Sequence, residues 1–255
     1  NEQRSFCRSG DVKIVDVLGE RKNERCSFER IYFSRGSDAD IYRERKALGA
    51  NLVPQVLDAL GHNVDDAVFS FIPNTAEAAF IGLVEGLGET LEREKTERIM
   101  DAAKSGELSR EVLENIMRQK LRVEKVALKD IKLRTFIAEG ESRNDLAAHV
   151  YDVTYGIVNN DRDTLVVIDD SIVRGTTLRQ SIISMLDRLH PRRILVLSSS
   201  PQVRYPDCYG IDMSRMGEFI AFKAAVELTV ERGEQQRLHD VYLRCLEQER
   251  LPRSS

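Results

Sequence analysis

Three short apolar runs constrain the fold of this chain more than any other feature, because they lack the alternation of polar and apolar residues that marks a strand with one wet face. The runs are "DAVFSFIP", "TLVVIDD" and "RRILVLSSSP". Such runs are typical of strands that helices cover on both faces. Segments with helical periodicity separate them. The sequence therefore predicts an α/β fold with a mainly parallel sheet and helices on both faces.

Two segments of the chain carry helical periodicity. In "TLRQSIISMLDRLH", which Pro191 closes, the apolar stripe comprises Leu178, Ile182, Ile183, Leu186 and Leu189. In "ADIYRERKALGANLVPQVLDAL" the apolar residues on one side are Ile41, Leu48 and Leu52. This spacing predicts helices that pack one apolar face against the rest of the protein.

Local patterns predict further elements. The segments "DVKIVDVLG" and "CSFERIYFSRGSD" are expected to be strands. A helix is expected after Pro73, with Asn74 or Thr75 as its N-cap and Glu77 in its first turn. Residues 89–129 are highly charged and helix-prone, with Ser109 as a candidate cap. That range is interpreted as a charged helical insertion with an exposed face.

The composition narrows the classes of partner. The chain has 255 residues, a formal net charge of -4 and 31% charged residues. An acidic balance gives no support to binding of nucleic acid or of an anionic membrane surface. No apolar run approaches the roughly 18 to 20 residues that a membrane helix needs, and we expect no signal peptide. We expect a cytoplasmic protein without nucleic-acid or membrane partners.

Two adjacent carboxylates, Asp169 and Asp170, directly follow one of the apolar runs. In an open parallel sheet, ligands bind beyond the carboxyl ends of the strands, which is where this pair is expected to lie. Paired carboxylates can accept hydrogen bonds from vicinal hydroxyls, or hold a hard cation directly or through water. The sequence therefore predicts a site for a diol, a cation or both.

The turn after the acidic pair suits a phosphate group. It consists of Ser171, Ile172, Val173, Arg174, Gly175, Thr176 and Thr177. It offers backbone N–H groups, a glycine that permits tight curvature and two threonine hydroxyls, at the start of a predicted helix. A diol acceptor beside a phosphate cradle describes a ribose 5-phosphate site. The alternative is that the aspartates merely end the strand and the turn has no ligand.

The run "VVIDDSIVRGTTL" resembles the phosphoribosyl-diphosphate (PRPP) signature of type I phosphoribosyltransferases, in its amidophosphoribosyltransferase version. Four other segments resemble motifs of that family in the family's order: "CSFERIYFSRGSDADIYRERKALG", "FIPNTAEAAFIGL", "LRTFIAEGES" and "RYPDCYGIDM". The resemblance implies the type I phosphoribosyltransferase fold, with a flexible loop after "LRTFI" and a small hood. The chain departs from the family in reading "SRGSD" for A-R-P-D-S, and in a flexible loop with fewer basic residues.

The resemblance also implies a reaction. In the family, ammonia displaces diphosphate from C1 of PRPP to give 5-phosphoribosylamine, the first step of de novo purine synthesis. Asp169 and Asp170 would hold the ribose diol, and residues 171–177 would hold the 5-phosphate. Thr75 would lie beside the diphosphate, and Mg²⁺ would lie near Asp169, Asp170 and Thr75.

Two arginines are candidates for phosphate contacts. Arg134, in "LRTFI", would bind the leaving diphosphate and is the third catalytic candidate beside the two aspartates; a surface arginine on a strand is the alternative. Arg174 would contact the ligand or help to close the loop, and a solvated side chain is its alternative. Both belong to the predicted PRPP site.

The four cysteines, Cys7, Cys26, Cys208 and Cys245, are far apart and form no C-x-x-C pair. Isolated thiols are the favoured interpretation. Cys26 and Cys208 match positions of cluster ligands in the iron–sulfur branch of the family. A cluster needs four thiolates, so it would require C-terminal cysteines that this sequence lacks.

Members of the family carry an N-terminal glutaminase domain that nothing in this sequence resembles. We therefore interpret residues 1–255 as the phosphoribosyltransferase domain alone, expected to use ammonia and not glutamine. The expected partners are PRPP, ammonia, a glutaminase domain in the full-length protein and further copies of the chain. Two alternatives stay open: a PRPP-binding regulator without catalysis, and a salvage phosphoribosyltransferase that uses a free base.

Overall fold

The structure is a computed structural model that describes residues 3–8, 11–16, 27–129, 151–176, 178–206 and 213–251. Its contacts divide the chain into two units, Asn1–Ser34 and Arg35–Ser255. The first unit contains an antiparallel hairpin of β1 (Gln3–Arg8) and β2 (Asp11–Asp16). The predicted strand in "DVKIVDVLG" is confirmed by β2.

The second predicted strand of this region is wrong. Within "CSFERIYFSRGSD" the backbone is helical, with a π-helical turn over Glu29–Phe33. The aromatic residues that suggested a strand instead meet across one helical turn: the Phe28 ring lies 5.5 Å from the Tyr32 ring and 5.8 Å from the Phe33 ring, which it meets edge-on. Aromatic residues favour strands only weakly, and contacts between neighbouring turns outweigh that preference here.

The second unit is built on a parallel sheet. Its strands and helices, up to the sheet's last strand, are α1 (Ala39–Ala50), α2 (Val53–Leu60), β3 (Ala67–Phe71), α3 (Glu77–Ser105), α4 (Arg110–Arg118), β4 (Arg122–Val123), β5 (Ala127–Lys129), β6 (Tyr151–Val153), β7 (Thr164–Asp169), α5 (Ile183–Asp187) and β8 (Arg193–Ser198). Four strands form one sheet in the order β4-β3-β7-β8, and every neighbouring pair is parallel. Strands β5 and β6 pair separately and antiparallel.

Helices cover both faces of this sheet. Alternate residues of β3 and β7 enter two different apolar clusters, because successive side chains of a strand point to opposite faces. The first cluster includes Phe69, Phe71, Val166 and Ile168 with Val56, Leu83 and Leu87 of α2 and α3. The second includes Val68, Leu165 and Val167 with Ile182, Met185, Leu186 and Leu189. The predicted double-covered parallel sheet is confirmed.

Helices α1 and α3 cross at unusually close range. A Cβ added at Gly49 would lie 1.7 Å from the Ala79 carbonyl oxygen, and one added at Gly82 would lie 1.9 Å from the Lys46 carbonyl oxygen. Both glycines are therefore required by the approach of two backbones. This crossing places α1 against the helix that follows β3.

Residues 89–129 contain strands as well as helices. The Ser109 side chain accepts a hydrogen bond from the Val112 N–H at 3.2 Å, so the predicted cap is confirmed. Beyond α4, however, β4 joins the main sheet, and Val126 and Ala127 are buried. Short apolar pairs inside a charged stretch carry too little periodicity to reveal a strand.

Two other expectations about helices are wrong. Helix α3 begins after Ala76 without a side-chain cap, so neither Asn74 nor Thr75 caps it. The stripe in "TLRQSIISMLDRLH" holds except at Ile183, which is exposed while Met185 is buried. The buried residues Ile182, Met185, Leu186 and Leu189 repeat at the spacing of one α-helical face, and Ile183 lies off that face.

Two helices, α6 (Ile220–Glu231) and α7 (Gln236–Glu249), follow a 3₁₀ turn over Met216–Glu218. None of the helices in the described part of the chain combines the length and apolar content that crossing a membrane requires. The predicted flexible loop, in "LRTFIAEGES", lies outside the described residues.

Candidate active site

The sheet topology selects one edge as the place for a ligand. The strands of the sheet lie in the order β4-β3-β7-β8. The chain passes from β3 to β4 on one side and from β7 to β8 on the other, so the direction of the connections reverses between β3 and β7. Such a reversal opens a crevice at the carboxyl ends of the two central strands. Phe71 pairs with Ile168 at the end of these strands, and the Ile72 N–H donates to the Ile168 carbonyl at 2.9 Å. The segments that follow β3 and β7 therefore meet at this crevice.

The predicted site residues that the structure describes lie at this edge. Asp169 ends β7, Asp170 follows it, and both are half-buried. Thr75, also half-buried, comes four residues after the end of β3. Thr177 and Arg134 lie outside the described residues.

The two residues that follow strand β8 hold the backbone of the acidic pair. The Ser199 N–H donates to the Asp169 carbonyl at 3.0 Å, and the Ser200 N–H donates to the Asp170 carbonyl at 3.0 Å. The Ser199 hydroxyl also donates to the Asp170 carbonyl at 3.2 Å. Because both main-chain carbonyls accept hydrogen bonds from the residues that follow β8, the backbone of the two aspartates is held where β7 ends and the turn begins.

The electrostatics of the pair favour a ligand. Burial raises the pKa of Asp169 to about 7; the neighbouring charge of Asp170 also raises it, while the hydrogen bond from the Asp170 N–H at 2.9 Å acts in the opposite direction. The Asp170 carboxylate accepts a hydrogen bond from the Ser171 hydroxyl at 3.0 Å. Two adjacent carboxylates of this kind are stabilised by hydroxyl donors or by a cation. A strongly raised carboxyl pKa in a crevice is typical of a functional site.

The pair fits Mg²⁺ that arrives with a phosphorylated ligand. Protein sites for this ion usually supply one or two carboxylates and leave the remaining positions to water and substrate phosphates. Asp169 and Asp170 provide two carboxylates at the crevice. Among the described residues, no group of three or more His, Cys, Asp or Glu side chains is arranged to hold a metal ion. A donor set of two carboxylates suits a cation that it shares with a ligand.

A buried arginine adds positive charge to the site. Arg45, on α1, is only 8% exposed. Burial lowers the pKa of Arg45, and the negative charge of Asp170 acts in the opposite direction. The guanidinium therefore lies within electrostatic reach of the acidic pair. Arg45 belongs to the segment "IYRERKALG", whose resemblance to a family motif was its only signal in the sequence; it was not predicted as a site residue.

The turn after the acidic pair has the curvature that its glycine suggested. Gly175 has a φ of +70°, in the left-handed region that glycine adopts at no steric cost. Its carbonyl accepts the first hydrogen bond of the following helical segment, from the Arg179 N–H at 2.9 Å. Residues 171–175 are half-buried and Thr176 is exposed. The turn is therefore open to solvent at the carboxyl edge of the sheet.

The structure leaves the cysteine prediction untested. Cys26 and Cys208 lie outside the described residues, and so does the side chain of Cys7. Cys245, on α7, is an exposed free thiol.

Curated relatives resemble this chain over most of its length. An amidophosphoribosyltransferase of Bacillus subtilis is 31% identical over 231 residues, which is 86% of this chain and 40% of that protein. One from Haemophilus influenzae is 26% identical over 241 residues, which is 91% of this chain and 46% of that protein. The chain thus spans less than half the length of these relatives. No protein-family model matches it.

Solved structures show the same likeness. A glutamine PRPP amidotransferase from B. subtilis, complexed with ADP and GMP, matches with a TM-score of 0.56 and 27% identity over 86% of this chain and 40% of that one. An allosteric regulatory enzyme of purine biosynthesis matches with a TM-score of 0.54 and 27% identity over 84% of this chain and 38% of that one.

Fold, site and comparisons agree on the class of protein. The structure is an α/β fold with a parallel sheet, and it has an acidic pair and a glycine turn at the crevice where the direction of the connections reverses. This is the architecture predicted for a type I phosphoribosyltransferase. Within that class the chain is similar to part of the amidophosphoribosyltransferases, so the resemblance carried by the sequence motifs is confirmed.

Proposed function

We propose that this chain is the phosphoribosyltransferase part of an amidophosphoribosyltransferase, which converts PRPP and ammonia into 5-phosphoribosylamine and diphosphate. The proposal rests on one observation: the half-buried Asp169–Asp170 pair and the glycine turn lie together at the crevice formed by the carboxyl ends of the central strands. The similarity to curated amidophosphoribosyltransferases selects this reaction from others that use PRPP.

The acidic pair would orient the ribose. Its carboxylates can accept hydrogen bonds from both hydroxyls of the diol, and those donors offset the burial and the neighbouring charge of Asp170 that raise the pKa of Asp169. The backbone bonds from Ser199 and Ser200 hold the pair in place, so little reorganisation is needed when the ligand binds. A rigid diol site fixes C1 of the sugar relative to the attacking ammonia.

The turn would bind the 5-phosphate. Residues 171–177 supply main-chain N–H groups and, at two positions, threonine hydroxyls, which are the donors that a phosphate dianion needs. With the phosphate held by the turn and the diol by the acidic pair, the sugar is fixed at two points. Departure of diphosphate from C1 then leaves positive charge on the ring, which the nearby carboxylates stabilise.

Mg²⁺ is the proposed cofactor, with Asp169, Asp170 and Thr75 as the residues that would hold it, directly or through water. When bound, it would neutralise charge on the leaving diphosphate. Arg134 is proposed to contact the same diphosphate. Three expectations remain predictions: a glutaminase domain that supplies ammonia, further copies of the chain in an oligomer, and a cytoplasmic location.

The direct test is a diphosphate-release assay with PRPP and Mg²⁺. Ammonium chloride at alkaline pH, glutamine and a panel of free purine and pyrimidine bases are supplied in parallel. We expect release that depends on ammonia, because free ammonia is the nucleophile and is abundant only at alkaline pH. Release with a base alone would indicate a salvage enzyme. Binding of PRPP without release by any acceptor would indicate a regulator.

A further inference from the structure

A short segment after residue 215 touches the proposed phosphate turn at three points. The Glu218 carboxylate lies 3.0 Å from the Arg174 Nε. The Ile220 N–H donates to the Val173 carbonyl at 2.8 Å. A Cβ added at Gly175 would lie 2.7 Å from the Ile220 side chain. Three consecutive residues of the turn are therefore supported by two residues far away in the sequence.

The segment itself is anchored. Phe219, which lies between the two contacting residues, is completely buried. Its N–H donates to the Met216 carbonyl at 3.0 Å, and the Glu218 N–H donates to the Arg215 carbonyl at 3.0 Å. A buried aromatic ring and a closed 3₁₀ turn restrict the directions in which its neighbours can point. Glu218 and Ile220 therefore approach the turn from a fixed support.

The main-chain contact orients one peptide unit of the turn. In a planar trans peptide, the carbonyl and the following N–H point in opposite directions. The Val173 carbonyl points to the Ile220 N–H, so the Arg174 N–H points away from α6. The Val173 carbonyl oxygen therefore faces α6, where it would not repel an anion bound in the phosphate turn.

We propose that Glu218 is a positioning residue for the phosphate turn: its carboxylate fixes the guanidinium of Arg174, and the turn is thereby preorganised for the 5-phosphate of the sugar. This inference rests on the proposed function. It assigns to the segment at the start of α6 a role in ligand affinity and not in the chemistry at C1, because its contacts described above are with Val173, Arg174 and Gly175 of the phosphate turn.

An ion pair that is only a surface contact would respond to loss of its charge differently from one that orders the phosphate turn. Arg174 and Glu218 side chains are 38% and 41% exposed, and exposed pairs typically contribute little to stability. If the pair acted only as such, removing its charge would leave both stability and ligand affinity nearly unchanged. If it orders the turn, affinity for the phosphorylated ligand falls while stability stays nearly the same.

The test uses Glu218→Gln, which keeps the size of the side chain and removes its charge. Glu114→Gln is the matched control, because Glu114 forms an exposed ion pair with Arg110 at 2.9 Å on α4, outside the site. We expect the KM for PRPP to rise about tenfold in Glu218→Gln, with kcat changed less than about twofold, as for loss of an interaction made equally before and during reaction. Glu114→Gln should match the unmodified chain, and Glu218→Asp should recover part of the lost affinity.

A double-mutant cycle and a binding measurement complete the test. In an Arg174→Gln background, Glu218→Gln should add little further loss, because the carboxylate acts through that guanidinium. Calorimetry with ribose 5-phosphate should show the same weakening without any turnover. An unchanged KM and ribose 5-phosphate affinity in Glu218→Gln, while the unmodified chain uses PRPP, would overturn this inference alone. Failure of the unmodified chain to bind PRPP would overturn the proposed function and this inference with it.

Discussion

Strand β7 has an aspartate at each end, and the two carboxyl groups have opposite surroundings. Asp163, just before the strand, is completely buried and lies 2.8 Å from the Arg122 guanidinium. It also accepts a hydrogen bond from the Asn159 N–H at 2.7 Å. Asp169, at the other end, is half-buried and lies beside a second carboxylate.

The pKa values of the two aspartates shift in opposite directions. Burial raises the pKa of Asp163, but the hydrogen bonds from Arg122 and Asn159 together outweigh burial, so that its pKa lies below the ordinary range. Burial and the charge of Asp170 raise the pKa of Asp169 to about 7. The same residue type on the same strand thus stabilises the fold at one end and resists ionisation at the other. The first arrangement is typical of a structural ion pair, and the second of a ligand site.

The largest effect on stability should come from removing the carboxylate of Asp163, which is paired with Arg122. Asp163→Ala leaves the Arg122 guanidinium without its carboxylate partner and the Asn159 N–H without its acceptor, and we expect it to lower the free energy of unfolding by about 3 kcal/mol. Urea unfolding measures this. Asp66→Ala is the control, since it removes a half-buried carboxylate that lies 2.8 Å from the more exposed Arg162 side chain, and it should lower the free energy of unfolding by less than about 1 kcal/mol. Equal losses in the two variants would contradict the structural role assigned to Asp163.

The second prediction addresses the other end of the strand. Asp170→Asn should lower kcat/KM for PRPP about 100-fold, because the amide loses a charged acceptor for the ribose diol in a confined site. The melting temperature should hardly change, since asparagine can still accept from the Ser171 hydroxyl. Turnover at the normal rate would remove the role assigned to the acidic pair. Asp66→Asn serves as the control for kcat/KM.

The pH dependence of stability sharpens the comparison. Asp163 has a lowered pKa in the folded state, so near its ordinary pKa the unfolded chain binds more protons than the folded chain. Its stabilisation is therefore present above the ordinary carboxyl pKa and is lost as the pH falls through the lowered one. We expect the difference in unfolding free energy between the unmodified chain and Asp163→Ala to shrink below about pH 4. Urea titrations from neutral to acid pH would reveal it, and a constant difference would refute it.

The smallest predicted effect compares two glycines on either side of β7. Gly156, before the strand, and Gly175, after it, both have positive φ. A Cβ at Gly156 would meet nothing within 4 Å, whereas one at Gly175 would press on Ile220. Substitution by Ala should cost each about 1 kcal/mol of stability for the backbone conformation.

Only Gly175→Ala should also raise the KM for PRPP, because the added methyl group would displace Ile220, which supports the phosphate turn. Steady-state kinetics and thermal unfolding of the two variants separate these contributions. A rise of the same size in Gly156→Ala would mean that loss of stability, and not the turn, controls affinity.

Much of the fold could be predicted because its signals are local. The unbroken apolar runs predicted β3, β7 and β8, and the acids at the end of one run were expected at the carboxyl edge where the structure has them. The errors arose where tertiary contacts outweigh local preference. Aromatic residues near Phe28 stack within a helical turn, and β4 is a strand only because β3 pairs with it.

By itself the sequence determined the strands of the central sheet, the order of the motifs and the identity of the acidic pair and glycine turn, because burial on both faces and tight curvature leave patterns within a few residues. Only the tertiary structure decided which charges meet. Arg122 reaches Asp163, Glu218 reaches Arg174, and Arg45 acts on Asp170 across elements that are far apart in the chain. A carboxylate's neighbours set its pKa and its role, and those neighbours are chosen by the packing of the sheet and its helices.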